Sequence, residues 1–180
     1  MKYQTHENFL PADLFKKIKD LIMDKDFPWR RRDHMVINTN DPIYFTYNFY
    51  NDMTVSSEWY TPCIVPIFKK LKATAPVEAR ANIFISTLFK RSTWHRDWPL
   101  ECKTAILYLN TCDGGTELKI NDKIISIKAE SNKMLIFDTP ILHRAVTSSD
   151  EPIRYIINLN YYEGDFGKGE RARERINVHK

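Results

Sequence analysis

The first part of the chain carries a helical hydrophobic pattern. Between residues 11 and 23 apolar residues recur at three- and four-residue spacing, and Pro11 suits the first turn of a helix. A second helix is predicted over residues 58–73, and residues 43–50 are rich in Tyr, Phe and Ile, as strands are. The apolar positions of the first predicted helix are Leu14, Ile18, Leu21 and Ile22.

From residue 77 onward the pattern changes to short β-like runs separated by turn residues. One turn contains Gly114-Gly115, where glycine is expected to permit a positive φ. Helices followed by many closely spaced strands predict a mainly β fold, an antiparallel sandwich or barrel backed by N-terminal helices. The predicted strands are residues 80–89, 103–110, 116–120, 123–127, 133–137 and 153–162.

No internal repeat and no linker divides the sequence, so its 180 residues are expected to form a single domain. Residues 1–76 would supply helical support and the first strand, residues 77–163 the β core, and residues 164–180 a polar tail.

Two predicted strands place polar side chains on one face. Alternation over residues 153–161 puts Arg154, Ile156, Asn158 and Asn160 opposite a face of Ile, Tyr and Leu. Over residues 103–110 it puts Thr104 and Tyr108 opposite Ala and Leu. These polar faces either meet water or line a barrel interior. In the second case a buried Arg154 requires an anion, because an unpaired buried charge is prohibitive.

Composition narrows the class of protein. Lys and Arg number 27 against 23 Asp and Glu, a formal charge of +4, which by itself does not indicate nucleic-acid binding. No apolar run is long enough to cross a bilayer, the start of the chain does not resemble a signal peptide, and the 3 Cys show no C-x-x-C spacing. A protein in a reducing compartment, the cytoplasm, is expected.

His95, Asp97 and His143 are the candidate metal ligands. His-x-Asp in an extended chain places an imidazole and a carboxylate on the same face, and His143 follows a predicted strand. Two imidazoles and one carboxylate form the facial triad that binds Fe(II) and leaves adjacent positions open. Zinc is the rival metal, but zinc hydrolases with such ligands more often carry H-E-x-x-H, which is absent.

The order of these residues resembles the 2-oxoglutarate- and Fe(II)-dependent oxygenases. His95-x-Asp97 is followed by Tyr108-Leu109-Asn110-Thr111-Cys112-Asp113-Gly114-Gly115-Thr116, then by His143, and then by Arg154 ahead of Asn158-Leu159-Asn160-Tyr161-Tyr162. The resemblance covers residues 80–162 and is greatest to small single-domain members related to prolyl hydroxylases, some of them encoded by viruses.

The resemblance implies a double-stranded β-helix with Fe(II) bound by His95, Asp97 and His143. The co-substrate 2-oxoglutarate would be decarboxylated by O2 to succinate and CO2, with Arg154 binding its far carboxylate. Many relatives place Ser two residues after this Arg, whereas this chain has Ile156. A second hydrogen bond to that carboxylate is therefore expected from Tyr108, Thr104 or Asn82.

Two other functions stay open at this point. One is a cupin-like metal enzyme, such as an isomerase, that uses neither O2 nor 2-oxoglutarate. The other is a noncatalytic nucleic-acid-binding module that uses Arg30-Arg31-Arg32 and the basic tail, although short basic runs are usually solvated surface. The substrate is not indicated by the residues. A prolyl residue or peptide is the first expectation, only because of the family branch, and neither a membrane partner nor an oligomeric state is predicted.

Overall fold

The structure, a computed structural model, describes residues 3–32, 44–85, 90–99 and 101–164. Helix α1 (Ala12–Ile22) and helix α2 (Val65–Lys70), the latter preceded by a π-helical turn (Tyr60–Ile64), lie where helices are predicted. Pro66 in the first turn of α2 needs no hydrogen-bond partner for its nitrogen. Within the residues that the structure describes, no helix is long and apolar enough to span a membrane.

The strands form two antiparallel sheets. The main sheet has the order β1-β9-β6-β11-β5-β3-β2, with β4 paired to β3, and the small sheet has the order β10-β7-β8. The bounds are β1 Tyr3–His6, β2 Arg30–Arg32, β3 Tyr44–Asn51, β4 Thr54–Val55, β5 Ala73–Ile85, β6 Lys103–Tyr108, β7 Gly115–Ile120, β8 Lys123–Lys128, β9 Met134–Asp138, β10 Leu142–Val146 and β11 Ile153–Glu163.

The main sheet separates two hydrophobic cores. On one face Ile157 and Leu159 of β11 pack in a core that includes Ile18 of α1 and Ile67 of α2. On the other face Ile156 belongs to a second core shared with Leu118 of the small sheet. The alternation predicted for β11 is confirmed, and its polar face lines the interior between the sheets.

Some elements differ from those predicted. Strand β5 begins at Ala73, before the proposed boundary at residue 76. It therefore contains Pro76, which pairs with Tyr161 of β11 beside a register shift, where a missing N–H is tolerated. The sequence did not predict β10, because His143 and Arg144 interrupt its apolar run. Strands β1, β2 and β3 of the first 76 residues join the main sheet. Residues 86–89 and 165–180 lie outside the described residues.

The prediction that Gly114 and Gly115 adopt positive φ is wrong, because no described glycine does so. Close approach is the reason for glycine here. A Cβ on Gly115, the first residue of β7, would overlap the carbonyl oxygen of Ile127 on β8. A Cβ on Gly114 would lie 2.8 Å from the carbonyl oxygens of Val146 and Thr147.

Gly115→Ala is expected to lower the free energy of unfolding by about 2–3 kcal/mol, because backbone rather than a flexible side chain must move. Urea denaturation measures the loss. Gly164→Ala is the matched control, since a Cβ there would meet only the Thr74 side chain at 3.5 Å, an ordinary contact. Equal stability of both variants would contradict this explanation.

Candidate active site

Backbone pairing brings the two candidate histidine ligands together. The segment of residues 90–99 runs beside β10, and the N–H of His95 and the N–H of His143 each donate to the other's carbonyl at 2.9 Å. Their rings lie side by side, with centroids 4.4 Å apart. Asp97, two residues after His95, extends toward the same place.

The ring nitrogens that face Asp97 are free to bind a metal. His95 Nδ1 lies 3.0 Å from the carbonyl oxygen of Thr93, and His143 Nδ1 lies 3.4 Å from that of Ile141. A carbonyl only accepts, so Nδ1 carries a proton in both rings, and Nε2 is the nitrogen whose lone pair binds a metal when the ring is neutral. Burial, followed by the neighbouring His143, lowers the pKa of His95 and favours this neutral form.

The three ligand atoms converge. His143 Nε2 and His95 Nε2 lie 3.5 and 3.9 Å from Asp97 Oδ1, and all three atoms lie within 4.8 Å of one another. Adjacent ligands of an octahedral cation with bonds of about 2.1 Å lie about 3 Å apart, so small adjustments suffice to close the set around an ion. Two imidazoles and one carboxylate suit Fe(II).

Asp97 is a buried carboxylate surrounded by donors. Its side chain is 1% exposed, and Oδ2 accepts hydrogen bonds from Asn158 Nδ2 and Asn160 Nδ2 at 3.2 Å each. Burial opposes ionisation, but His143, Arg80 and His95 outweigh it and hold the pKa of Asp97 well below its usual range. The sequence placed both asparagines on the polar face of β11 without assigning them a role.

Arg154 lines the same cavity, and none of the described residues is a counter-ion to it. Its residue is 1% exposed, and none of its three guanidinium nitrogens has a hydrogen-bond partner among the described residues. Its guanidinium carbon lies 4.4 Å from the centre of the Phe84 ring. Burial raises the pKa of neighbouring Tyr108 to about 12, so this phenol is neutral and does not balance the charge. The described residues therefore do not supply the anion that this buried charge requires.

The three residues proposed to assist Arg154 have different positions. Tyr108 and Asn82 each pair with Ile156, two residues from Arg154 on the same face of β11. Thr104 instead pairs with Asn160, six residues from Arg154 or about 20 Å along the strand. Thr104 bonds Asn160 and Thr139 and does not line the cavity, so the structure does not bring it to Arg154.

Thr116 is a hydroxyl donor that the sequence did not indicate. It lines the cavity from β7 on the small sheet, and its Oγ1 accepts a hydrogen bond of 2.8 Å from the Tyr108 hydroxyl. A hydroxyl that accepts from Tyr108 keeps its own proton for a further acceptor. Tyr108 does not line the cavity itself, and its hydroxyl orients that of Thr116, which does.

Arg80 is a further arginine of the cavity, and sequence reasoning missed it. It stands two residues from Asn82 on the inward face of β5, so strand periodicity was the available signal. Arg80 Nη1 lies 3.2 Å from Glu78 Oε1, and Nη2 lies 3.6 Å from Asp97 Oδ1. The cavity, of about 240 Å³, has Asp97 as the one carboxylate among its described lining residues.

Glu117 ties the histidine-bearing elements together from behind. It is 5% exposed on the outer face of β7. It accepts bonds of 3.0 Å from Arg91 Nε and 2.7 Å from Arg144 Nε, and Arg144 also lies 4.2 Å from the Trp94 ring. Because Arg91 belongs to the His95 segment and Arg144 to the His143 strand, Glu117 fixes one against the other.

Comparisons with known proteins place the fold. No family model matches the sequence, and no curated protein matches it. A 2OG-Fe(II) oxygenase family oxidoreductase from Burkholderia pseudomallei superposes with a TM-score of 0.72 and 8% identity, over 91% of this chain and 86% of that chain.

Two prolyl hydroxylases are also similar in structure. The enzyme from Trichoplax adhaerens, solved with a hypoxia inducible factor peptide, has a TM-score of 0.67 and 16% identity, over 99% of this chain and 87% of that chain. A prolyl-4-hydroxylase from Pseudomonas putida has a TM-score of 0.66 and 13% identity, over 90% and 92%. The chain therefore has the double-stranded β-helix fold of the 2-oxoglutarate- and Fe(II)-dependent oxygenases, which confirms the fold prediction.

Glu117→Gln is expected to lower the free energy of unfolding at pH 7 by about 2 kcal/mol, because buried bonds to a charged acceptor are lost. Burial opposes ionisation of Glu117, but its bonds with Arg144 and Arg91 lower its pKa below the ordinary value. A lowered folded-state pKa stabilises above the unfolded value of about 4.3 and ceases to do so as pH falls through the folded value.

The stability gap between the wild type and Glu117→Gln should therefore shrink as the pH is lowered from 7 toward 3. Urea denaturation across this range measures it. Glu151→Gln changes an exposed carboxylate and is the matched control, with little effect expected. A gap for Glu117→Gln that stays constant over this pH range would show that its charge is not involved.

Proposed function

We propose that this chain is an Fe(II)- and 2-oxoglutarate-dependent dioxygenase that hydroxylates its substrate. One observation carries the proposal: a buried guanidinium, which no described residue balances, shares a cavity with a His-Asp-His triad. A metal site alone fits many enzymes. The unpaired Arg154 adds the demand for a carboxylate at a fixed distance from the metal ligands, which 2-oxoglutarate meets through its far end.

The charges of the buried groups suit the joint binding of Fe(II) and 2-oxoglutarate. Arg80 and Arg154 carry two positive charges and Glu78 and Asp97 two negative ones, so these four groups sum to zero, although both carboxylates lie beside Arg80 and no described residue pairs with Arg154. Both imidazoles of the triad would be neutral as metal ligands. A dication and a dianion can therefore enter together without leaving net charge in the interior.

The residues that line the cavity would bind the metal, bind the co-substrate or exclude water. When bound, Fe(II) and 2-oxoglutarate supply the activation of O2, with release of succinate and CO2. His95, His143 and Asp97 would hold the metal, Arg154 would bind the far carboxylate through paired N–H groups, and Thr116 would donate the hydrogen bond that Ile156 cannot. The apolar side chains of Ile106, Ile156, Ala145 and Phe84 exclude water from the cavity.

The alternative functions make different demands. A cupin-like isomerase would not bind 2-oxoglutarate, so it would leave the anion for Arg154 unexplained. Stoichiometric succinate release would exclude it. A nucleic-acid-binding module would need a concentrated basic surface. Arg30–Arg32 form edge strand β2, while the basic tail lies outside the described residues. Salt-dependent binding to DNA or RNA without metal would support that module.

For the substrate we propose a prolyl residue or another peptide group, in keeping with the hydroxylases of similar fold. Candidate peptides are incubated with Fe(II), 2-oxoglutarate and O2 and analysed by mass spectrometry. A gain of one oxygen that depends on 2-oxoglutarate supports hydroxylation. A loss of two hydrogens instead would indicate desaturation by the same site.

Anaerobic addition of Fe(II) and 2-oxoglutarate to the wild-type protein is expected to give a weak visible charge-transfer band. Asp97→Ala should abolish it and weaken Mn(II) binding by about 100-fold, because the only anionic ligand of the triad is lost. Absorption spectroscopy and Mn(II) titration make the measurement. Asp97→Asn, which keeps the shape of the side chain, should behave in the same way.

Asp26→Ala is the matched control for Asp97→Ala, since Asp26 is an exposed carboxylate with a side chain 80% exposed. It should retain the band and the Mn(II) affinity of the wild type. Absence of the band in the folded wild-type protein would overturn the proposed function.

Arg154→Met is expected to raise the Michaelis constant for 2-oxoglutarate by about 100-fold, because the charge-assisted bonds to its far carboxylate are lost. The same change should stabilise the ligand-free protein by about 1–3 kcal/mol, because it replaces an uncompensated buried charge with an apolar side chain. Succinate assays and thermal unfolding measure the two effects.

Thr116→Val should raise the same Michaelis constant by about 10-fold without the gain in stability. Mn(II) affinity should stay unchanged in both variants, since neither residue belongs to the triad. An Arg154→Met variant with the wild-type Michaelis constant would contradict the role of Arg154.

A further inference from the structure

Asp97 presents its two carboxylate oxygens to different neighbours. Oδ2 faces β11, where Asn158 Nδ2 and Asn160 Nδ2 both donate to it. Oδ1 faces the two imidazoles and Arg80. Asn158 and Asn160 reach the same oxygen because residues two apart on a strand point to the same side.

The amide of Asn160 is held by a buried chain of hydroxyls behind it. Its Nδ2 also donates to Thr104 Oγ1 at 2.9 Å, so both amide hydrogens are used. Thr104 Oγ1 lies 3.1 Å from Thr139 Oγ1, which lies 3.2 Å from Cys102 Sγ. Asn160, Thr104 and Thr139 are each 0% exposed, so water does not compete for these bonds.

This arrangement limits how Asp97 can move. A carboxylate that accepts two hydrogen bonds at one oxygen cannot rotate about its Cβ–Cγ bond without breaking both. Oδ2 is therefore occupied by β11, and Oδ1 is the oxygen left to face a cation. Asp97 lies on a segment without regular strand structure, so its own backbone supplies little of this restraint.

We propose that Asn158 and Asn160 are positioning residues that restrict Asp97 to a single metal-binding oxygen, and that Thr104 and Thr139 hold Asn160 in place for this task. The inference rests on the proposed function, since it requires a metal at the triad. It also gives Thr104 a role at the Asp97 end of the cavity rather than at the co-substrate carboxylate.

A purely structural explanation makes a different prediction. If the two amides served only to compensate a buried charge, their removal would lower stability and leave the metal site unchanged. If they position Asp97, their removal frees Oδ2 and changes both the affinity for the metal and the number of oxygens bound to it.

The test measures Mn(II) dissociation constants and Co(II) absorption spectra on the full chain. Asn158→Leu and Asn160→Leu keep a side chain branched at Cγ and remove the donors. Each should raise the Mn(II) dissociation constant by about 10-fold, and the double variant by about 100-fold. The Co(II) ligand-field bands should shift in all three, because Asp97 can then bind through both oxygens.

Asn110→Leu is the matched control. Asn110 also makes two hydrogen bonds, donating to the carbonyl of Ile153 and accepting from the N–H of Tyr155, but neither bond involves Asp97. It should lose stability and keep the wild-type Mn(II) constant and Co(II) spectrum. Thr104→Val, which removes one hydroxyl, should raise the Mn(II) constant by about threefold and provides a variant that folds if the leucine variants do not.

The outcomes separate the two proposals. Wild-type protein that binds Mn(II) and releases succinate, together with asparagine and Thr104 variants whose constants lie within twofold of the wild type and whose Co(II) spectra are unchanged, overturns the positioning role alone. Wild-type protein that binds no Mn(II) overturns the proposed function and the positioning role with it. Weaker binding with shifted Co(II) bands in the variants, but not in Asn110→Leu, supports the inference.

Discussion

The guanidinium of Arg154 is buried and receives no acceptor from the described residues, so the rest of the structure must tolerate the cost. An uncompensated charge in a protein interior costs several kcal/mol, of which a cation–π contact such as that with Phe84 returns about 2 kcal/mol. Stability must come from elsewhere. The core between the helices and the main sheet, where Ile18, Ile67 and Leu159 are 0% exposed, supplies it on the face of β11 opposite to Arg154.

Strand β11 organises the site because it carries groups for both ends of the cavity. It lies between β5 and β6 in the main sheet, so its inward side chains from Ile156 to Asn160 are flanked on both sides by paired strands, while Arg154 pairs with Phe84 of β5. Arg154 and Asn158 stand four residues apart on one face, about 13 Å along the strand. Since a strand in the middle of a sheet cannot shift without breaking two ladders of hydrogen bonds, this separation is fixed. The distance between the anion-binding end and the Asp97 end is therefore a property of one strand.

The sequence predicts which side chains share a face more readily than which strands lie side by side. Alternation correctly placed Arg154, Asn158 and Asn160 together, because the period of a strand is a local property. It could not place Thr104 opposite Asn160, since that depends on the register between β6 and β11, which no local pattern encodes.

The same limit explains which residues of the site were missed. Arg80 was the first residue of a predicted strand whose true start is Ala73, so its inward direction was not apparent. Thr116 and Glu117 lie on β7 of the small sheet, and their roles depend on how that sheet faces the main one. The candidate metal ligands were recognisable because an ordered set of His, Asp and Arg is chemically distinctive, whereas Thr, Asn and Glu are common in any sheet. The supporting residues of a site are therefore the part that requires coordinates.

The Asp97 carboxylate contacts side chains from both sheets. His143 comes from the small sheet, Asn158 and Asn160 come from the main sheet, and Asp97 contacts both from a segment that belongs to neither. Glu117 fixes that segment to the small sheet from outside, while the asparagines fix it to the main sheet from inside. A cation held by the triad would join all three elements, and because it binds only where they are assembled, it favours the folded chain by mass action. Metal affinity and the spacing of the two sheets are thus linked through a single carboxylate.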